Sequence, residues 1–468
     1  MDDCTLRAVD SMTEVFCALL RGASGFKDFE DGAMDACMGV CAAALAAALE
    51  HFDLSFLGAR RPHGAKVHDV RERTLLCECG QVTFRRRRFE LVDGTRFCAL
   101  DEALGLIPGS RVSPGAFAMV RDDALAGSYA RAAELLCRHT RTSLSRSAVG
   151  SILREAAEAL KTADSEAARD LFELGLASDA NGKAEVLCVE ADGTWPALQR
   201  DPMGRAEVKA MVAYAGKEEA GSGRRRRIGP VVHYAAVSGP EPFWKRGVAR
   251  VGSFYDLSAL EAVHLGTDGE GWCKGGGAYF PTSAEVIGHL DPRHLFAAIR
   301  KGMGEDPDDD AGDVRILCSE GRIDEALAVL AEQPDPKGKV AELMSYIANN
   351  ASIIGVPGPS LGTMEGDNAT VYKKRLGGQR SWSREGLSAA ASLLSAQASG
   401  MALPGRSPAK ETPRRRRIAA AMGARPSLPA GKVVKSAGSG YAPPSGHLVR
   451  TAFDDRGFYD WAVNGFVR

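Results

Sequence analysis

Two apolar runs in this chain each lead straight into an aspartate. Val186-Leu187-Cys188-Val189 continues into Glu190-Ala191-Asp192-Gly193-Thr194-Trp195, and Ala262-Val263-His264-Leu265 into Gly266-Thr267-Asp268-Gly269-Glu270-Gly271-Trp272. Short apolar, β-branched runs bounded by glycine read as buried strands. Such a chain has to build a sheet, and the sheet carries an aspartate where each of these strands ends and a turn begins. Further strands read at 206–214, 230–237 and 285–290.

A third string, Leu361-Gly362-Thr363-Met364-Glu365-Gly366-Asp367-Asn368, opens a helix-like stretch with a glutamate near its start. Two strand-borne aspartates and a helix-borne glutamate are the ligand set of a two-metal phosphoryl-transfer site. Carboxylate oxygens suit Mg²⁺ or Mn²⁺, and two ions about 3.5–4 Å apart activate the attacking oxygen and stabilise the leaving one. Asp-Gly after a strand is also an ordinary turn, and with 60 acidic residues three in order mean little alone. On a helix from Gly362, Asn368 and Tyr372 share the face of Glu365, where both would reach a scissile phosphate or a water. Lys373, Lys374 and Arg375 flank that face as contacts for a DNA backbone.

From about Arg71 to Gly400 the chain resembles the DDE transposases of bacterial insertion sequences, specifically the ISLre-type group. Four segments carry the likeness: Gly80-Gln81-Val82-Thr83-Phe84-Arg85-Arg86 running on to Leu100-Asp101-Glu102-Ala103-Leu104-Gly105-Leu106; Val189 to Trp195; Thr267 to Trp272 with Leu290-Asp291-Pro292-Arg293-His294-Leu295; and Met364-Glu365-Gly366 with Ser381-Trp382-Ser383-Arg384-Glu385-Gly386. The resemblance implies an α/β fold with a ribonuclease H-like mixed-sheet catalytic core, DNA strand transfer, and a catalytic, metal-binding triad at Asp192, Asp268 and Glu365. Three early strands, a crossover and a further strand leading to Asp268 fit that core. The spacing of 97 from Asp268 to Glu365 leaves room for a helical insertion near 301–348. Asp367 makes the third motif more acidic than the family pattern, and the tail beyond Gly400 has no counterpart in it.

Around this core, residues 1–60 read as helices, 61–112 as a small β-hairpin region turning at Gly80-Gln81, 113–165 as a helix-turn-helix-like module, 180–400 as the core, and 401–468 as a basic, partly disordered tail. Tyr459 to Phe466 reads as a short terminal helix. In the module, Ser145, Arg146 and Ser147 start the second helix and suit phosphate and base-edge contacts; a plain helical hairpin fits the pattern too. Arg85, Arg86, Arg87 and Arg88 put guanidinium groups on both faces of a strand, which fits either a DNA-touching edge or an edge guarded by charge. The stretch 39–49 reads as a buried helix.

Net charge is only −1, yet 1–57 carries three basic against ten acidic residues and 401–468 twelve basic against four acidic. Affinity for nucleic acid depends on local patches rather than totals, and Arg85–Arg88, Arg224–Arg227 and Arg414–Arg417 supply three. The acidic run Glu305-Asp306-Pro307-Asp308-Asp309-Asp310 reads as a solvated loop, because it lacks the glycine and terminal glutamate of a calcium loop. Eleven scattered cysteines suit free thiols in a reducing cytosol. No apolar run reaches a membrane span, so a cytoplasmic, nucleoid-associated protein is expected.

Asp291 and His294 form an Asp-x-x-His pair after a strand. Asp291 reads either as the cap of the following helix or as a supporting group beside the catalytic centre. His294 reads as a partner of the catalytic carboxylates or a DNA phosphate contact. Trp195, Trp272 and Trp382, each near a motif, are candidates for base stacking or for core packing. The expected reaction is cleavage and strand transfer on double-stranded DNA, terminal inverted repeats joined to target DNA, by a homodimer or higher oligomer with two Mg²⁺ or Mn²⁺ ions. The alternatives are a catalytically inactive sequence-specific DNA-binding protein and a ribonuclease H-like nuclease without strand transfer.

Overall fold

A computed structural model describes residues 3–177, 180, 182–221, 225–304, 310–335, 337–378, 380–406 and 412–423. The chain divides into two compact units. One comprises 1–120, 133–144 and 408–468, the other 121–132 and 145–407. The boundary therefore falls inside the stretch 113–165, and the helix Arg146–Glu173 belongs to the second unit. Ser145 caps that helix by accepting a hydrogen bond from the Ala148 amide.

In the first unit, strands β1 (Ala65–Cys77), β2 (Gly80–Leu91) and β3 (Arg96–Cys98) form an antiparallel sheet in that order. The β1–β2 turn is Glu78-Cys79, because Cys77 pairs with Gly80, two residues earlier than the Gly80-Gln81 turn read from sequence. The edge assignment for the arginine run is corrected in part: β3 pairs with β2 from Arg88 to Glu90, whereas Arg85 to Arg87 have a strand partner only in β1. Arg86 pairs with Asp101, Arg87 with Asp53 and Arg88 with Asp69, all three half-buried, while Arg85 stays exposed.

Asp101 also lies 2.8 Å from Arg73, so one buried carboxylate holds two guanidinium groups. Removing one partner of a buried ion pair leaves uncompensated charge. Asp101→Ala is expected to destabilise this unit by about 3–5 kcal/mol, read as a fall in urea midpoint.

The apolar stretch at 39–49 lies within one long helix, Phe26–Leu54, that is not buried as expected. Ala42, Ala46, Leu49 and Phe52 pack on the core of the first unit, while Phe26, Met34, Val40 and Leu45 are exposed. By length and composition alone this helix is apolar enough to cross a membrane. The tail is corrected in part: Pro413–Met422 is helical, capped by Thr412, and buries Ile418 and Ala421 in the same core. The expected terminal helix at 459–466, Arg224 and the acidic residues 305–309 lie outside the described residues. The described cysteines are free thiols.

The second unit is mixed α/β. Strand β4 (Val186–Thr194) is followed by β5 (Ala197–Leu198), β6 (Val208–Tyr214), β7 (Gly216–Glu219), β8 (Arg225–Ile228), β9 (Val232–Ala236), β10 (Ala262–Thr267), β11 (Glu285–Leu290) and β12 (Ser381–Trp382). Five of these form a mixed sheet ordered β11-β10-β4-β6-β9. β4, β6 and β9 run antiparallel in sequence, while β10 is parallel to β4 and β11 to β10. All five strands lie where the apolar runs placed them.

Alternation sorts the sheet's faces. Leu187, Val189, Ala191, Met211, Tyr234, Val263 and Leu265 pack against Phe243, Trp244 and Val248 of the helix Pro240–Gly252. Gly247 permits this approach, since a Cβ there would lie 2.6 Å from the Met211 sulfur. Buried Arg250 ties the layers together: it pairs with Asp164 of the helix Arg146–Glu173 and donates to the His233 carbonyl and to Ser395 of the helix Arg384–Ala398. Between β11 and the third motif, the helices Pro292–Met303, Asp310–Ser319, Ile323–Ala331 and Lys339–Asn349 gather around Leu295, Val314, Leu330, Leu343 and Ile347. The stretch expected to be helical is helical, with an apolar core of its own.

Candidate functional site

On the sheet's other face, Cys188, Glu190 and Asp192 follow the β4 alternation, and β10 runs beside them with Gly266 opposite Glu190. Asp192 is not at a turn, as the sequence implied; β4 continues through it to Thr194, paired with β6. Asp268 does lie just past the last residue of β10, where Gly269 turns with φ +94°. Asp291 follows β11. Three neighbouring parallel strands thus deliver an acid each at their C-terminal ends, where open α/β sheets bind ligands.

These acids border a cavity of about 500 Å³ lined by Asp192, Asp268, Asp291, His294 and the loop 353–362. Asp192 accepts from the Gly193 amide at 2.7 Å and from the Asn368 side-chain amide at 2.5 Å. Burial raises the pKa of its carboxyl, and the nearby Asp268 carboxylate adds to the rise while His294 opposes it. Buried Cys273 sits beneath the pair, its thiol pKa pushed upward by burial and by Asp268.

Asp291 caps the helix Pro292–Met303 through the Arg293 amide and also faces His294 Nδ1 at 3.3 Å. Burial pushes the Asp291 pKa up, but the His294 and Arg293 hydrogen bonds outweigh it and leave the pKa lowered. Asp291 is thus the cap of its helix and also the partner of His294 on the cavity wall. The hydrogen bond to Asp291 raises the pKa of His294, helped by Asp192 and Asp268. A histidine whose folded pKa is raised contributes stability that is complete below the unfolded pKa and lost as pH rises through the folded one. His294 is expected to titrate above the ordinary histidine value by NMR, and Asp291→Asn to bring it back down.

Glu365 is placed differently from the two aspartates. It is half-buried at the start of the segment Met364–Leu376, and Met364 rather than Glu365 contributes to the cavity wall. The helix reaches Asp192 one turn later through Asn368. Residues Asn368–Lys373 wind as a π-helical turn, a feature frequent at functional sites. Tyr372 is fully buried with no hydrogen-bond partner for its hydroxyl and does not line the cavity. Arg375 is corrected, since its buried guanidinium donates to the Ala124 and Leu125 carbonyls and stacks over Trp382. Lys373 and Lys374 are exposed. Among the tryptophans, Trp382 is buried, Trp272 packs on the core beneath the Lys209 ammonium, and Trp195 is exposed. Ser145, Arg146 and Ser147 remain exposed at their helix start.

The residue that sequence reasoning missed is Glu190. Its buried carboxylate accepts from the amides of Gly362, Thr363 and Met364 at 2.7–3.2 Å, from the Thr363 hydroxyl at 2.6 Å and from the Tyr214 hydroxyl at 2.5 Å. It holds the start of the Glu365 segment against β4. Gly266 leaves room for it, because a Cβ there would lie 3.2 Å from Glu190 Cγ. The signal was a carboxylate inside an otherwise apolar strand, a group that needs buried partners. The surplus acid Asp367 is explained as well: it turns to Arg227 at 2.6 and 3.0 Å rather than to the cavity.

For a metal, the donor set is chemically apt. Asp192 and Asp268 offer oxygen ligands on one cavity, and the buried Asn368 Oδ1 beside them has no hydrogen-bond partner. Among the described residues no three His, Cys, Asp or Glu side chains converge on one point. What fold and site define is a mixed α/β protein with an acidic cavity at its strand ends. The chain belongs to the uncharacterised protein family UPF0236, whose model matches residues 20–408. No curated protein matches the sequence significantly.

Proposed function

We propose that this protein is a metal-dependent DNA strand-transfer enzyme, a DDE transposase of the ISLre type with a ribonuclease H-like core. The observation that carries the reading is the pair Asp192 and Asp268, on adjacent parallel strands and facing one cavity. The sheet supports it: three antiparallel strands in sequence, then two parallel strands on the other side of the first, the arrangement expected of that core.

A hard divalent ion held by Asp192 and Asp268 would supply charge neutralisation at the phosphate. The chain's own residues do the rest. Asn368 fixes the rotation of Asp192, Glu190 fixes the helix that carries Asn368 and Glu365, and Asp291 keeps His294 protonated toward the cavity, where it binds a phosphate oxygen. In the first step water attacks phosphorus and the bond to the 3′-oxygen breaks, leaving a 3′-hydroxyl and a 5′-phosphate. In the second, that hydroxyl attacks a target phosphodiester, loses its proton to solvent and displaces the target's own 3′-oxygen. In this reading Glu365 completes the carboxylate set by turning toward the cavity when DNA and metal are present.

A second reading has one observation in its favour. Glu365 stands off the cavity wall while the Asn368 amide occupies an oxygen of Asp192, as in a DNA-binding protein whose chemistry is unused. Thermal melting separates the two. Mn²⁺ is expected to raise the melting temperature of the wild type and not of Asp268→Asn. No shift in the wild type favours the second reading.

A further inference from the structure

The hairpin β7–β8 takes no part in the cavity. It interrupts the sheet between β6 and β9, pairing Glu219 with Arg225, Glu218 with Arg226, Lys217 with Arg227 and Gly216 with Ile228. Its base is bolted to the segment that carries Glu365. Arg227 grips both oxygens of Asp367. Arg227 and Lys217 also lie 5.8 and 5.7 Å from the ring centre of Tyr214, whose hydroxyl donates to Glu190.

Farther out the hairpin is open, with Arg225 across from Glu219 and Arg226 across from Glu218. Arg225 and Arg226 are exposed, and Arg226 makes only a solvent-facing approach to Glu218 at 3.5 Å. Alternation puts Arg225 on the face of Arg227, the face turned to the Glu365 segment, and Arg226 on the opposite face, so the two arginines flank the finger. Lys217, half-buried at the base, is held below the ordinary lysine pKa by burial, and Arg227 and Arg225 lower it further.

We propose that the β7–β8 hairpin is a phosphate-gripping finger for the DNA duplex on which the carboxylate cavity acts. The inference rests on the function proposed above. The Arg227–Asp367 pair makes it more than an exposed charge run, because a duplex held by Arg225 and Arg226 bears directly on the element that carries Glu365 and Asn368.

The test is fluorescence anisotropy with a labelled random-sequence duplex, without metal, over a range of salt, on the full chain. Each phosphate contact adds about 0.9 to the slope of log affinity against log salt. R225A/R226A is therefore expected to lower that slope by about 1.8 with an unchanged melting temperature. R225K/R226K, which keeps the charge, is expected to keep the slope. Wild-type binding with the same slope and affinity in the alanine variant overturns the finger and leaves the function standing. A wild type that does not bind duplex DNA overturns the finger together with the function on which it rests.

Discussion

Asp192→Asn is expected to abolish metal-dependent DNA cleavage while melting at or above the wild-type temperature. The two effects share one cause. Burial and the neighbouring Asp268 carboxylate work against the charge on Asp192, so the free protein bears an unfavourable carboxylate that only the reaction needs. Asparagine removes the charge and keeps an oxygen for Asn368. Losing a metal ligand gives up several kcal/mol of transition-state stabilisation, so the cleavage rate should fall on the order of 10³-fold or more. A variant that cleaves at the wild-type rate would remove Asp192 from the chemistry. One that melts well below wild type would show that its charge serves the fold.

Glu190→Gln, two residues away on the same face of the same strand, is expected to behave in the opposite way and lose both stability and activity. Its carboxylate collects five donors, three of them amides at the head of the Glu365 segment. A glutamine retains one acceptor oxygen and turns an NH₂ toward groups that are themselves donors. Leaving a buried donor unsatisfied costs about 1–3 kcal/mol. With at least two affected, the unit should lose about 3 kcal/mol, measurable as a lower urea midpoint. Cleavage should fall as well, since both Glu365 and Asn368 hang from this anchor. Unchanged stability would mean that the segment is held by other contacts.

The contrast between these two acids marks how far the sequence could be read. The five central strands were legible because each is a run of buried apolar residues, and the two aspartates were legible because they follow such runs. The helical stretch between the second and third motifs was legible from its polar, helix-forming sequence. Glu190 was not, because its partners Gly362–Met364 lie more than 170 residues away, and no local pattern announces a long-range anchor. The same limit hid Arg375, a lysine-flanked cation that proved to be a buried tie to the Ala124 and Leu125 carbonyls. Asp367, taken as a departure from the motif, is the mate of Arg227.

The arginine run on β2 was read as an edge because it puts guanidinium groups on both faces of the strand. The third strand, only three residues long at Arg96–Cys98 and too short to register in sequence, pairs with Arg88 to Glu90 and leaves Arg85 to Arg87 without a strand on that side. The tail helix at Pro413–Met422 could have been found: a threonine followed by proline is a strong helix start, and arginine and alanine are good helix formers. Composition, rich in proline and glycine over the wider stretch, concealed it.

The central claim is that Asp192 and Asp268 form the heart of a DNA-cleaving site. The most direct test is incubation of full-length protein, with and without Mn²⁺, with a labelled duplex carrying the sequences that flank the gene. Wild type and Asp268→Asn are compared side by side. The account predicts strand cleavage at the element end by the wild type, only with Mn²⁺, and none by the variant. Tight binding of the duplex without cleavage by the wild type, or equal cleavage by both proteins, would contradict it.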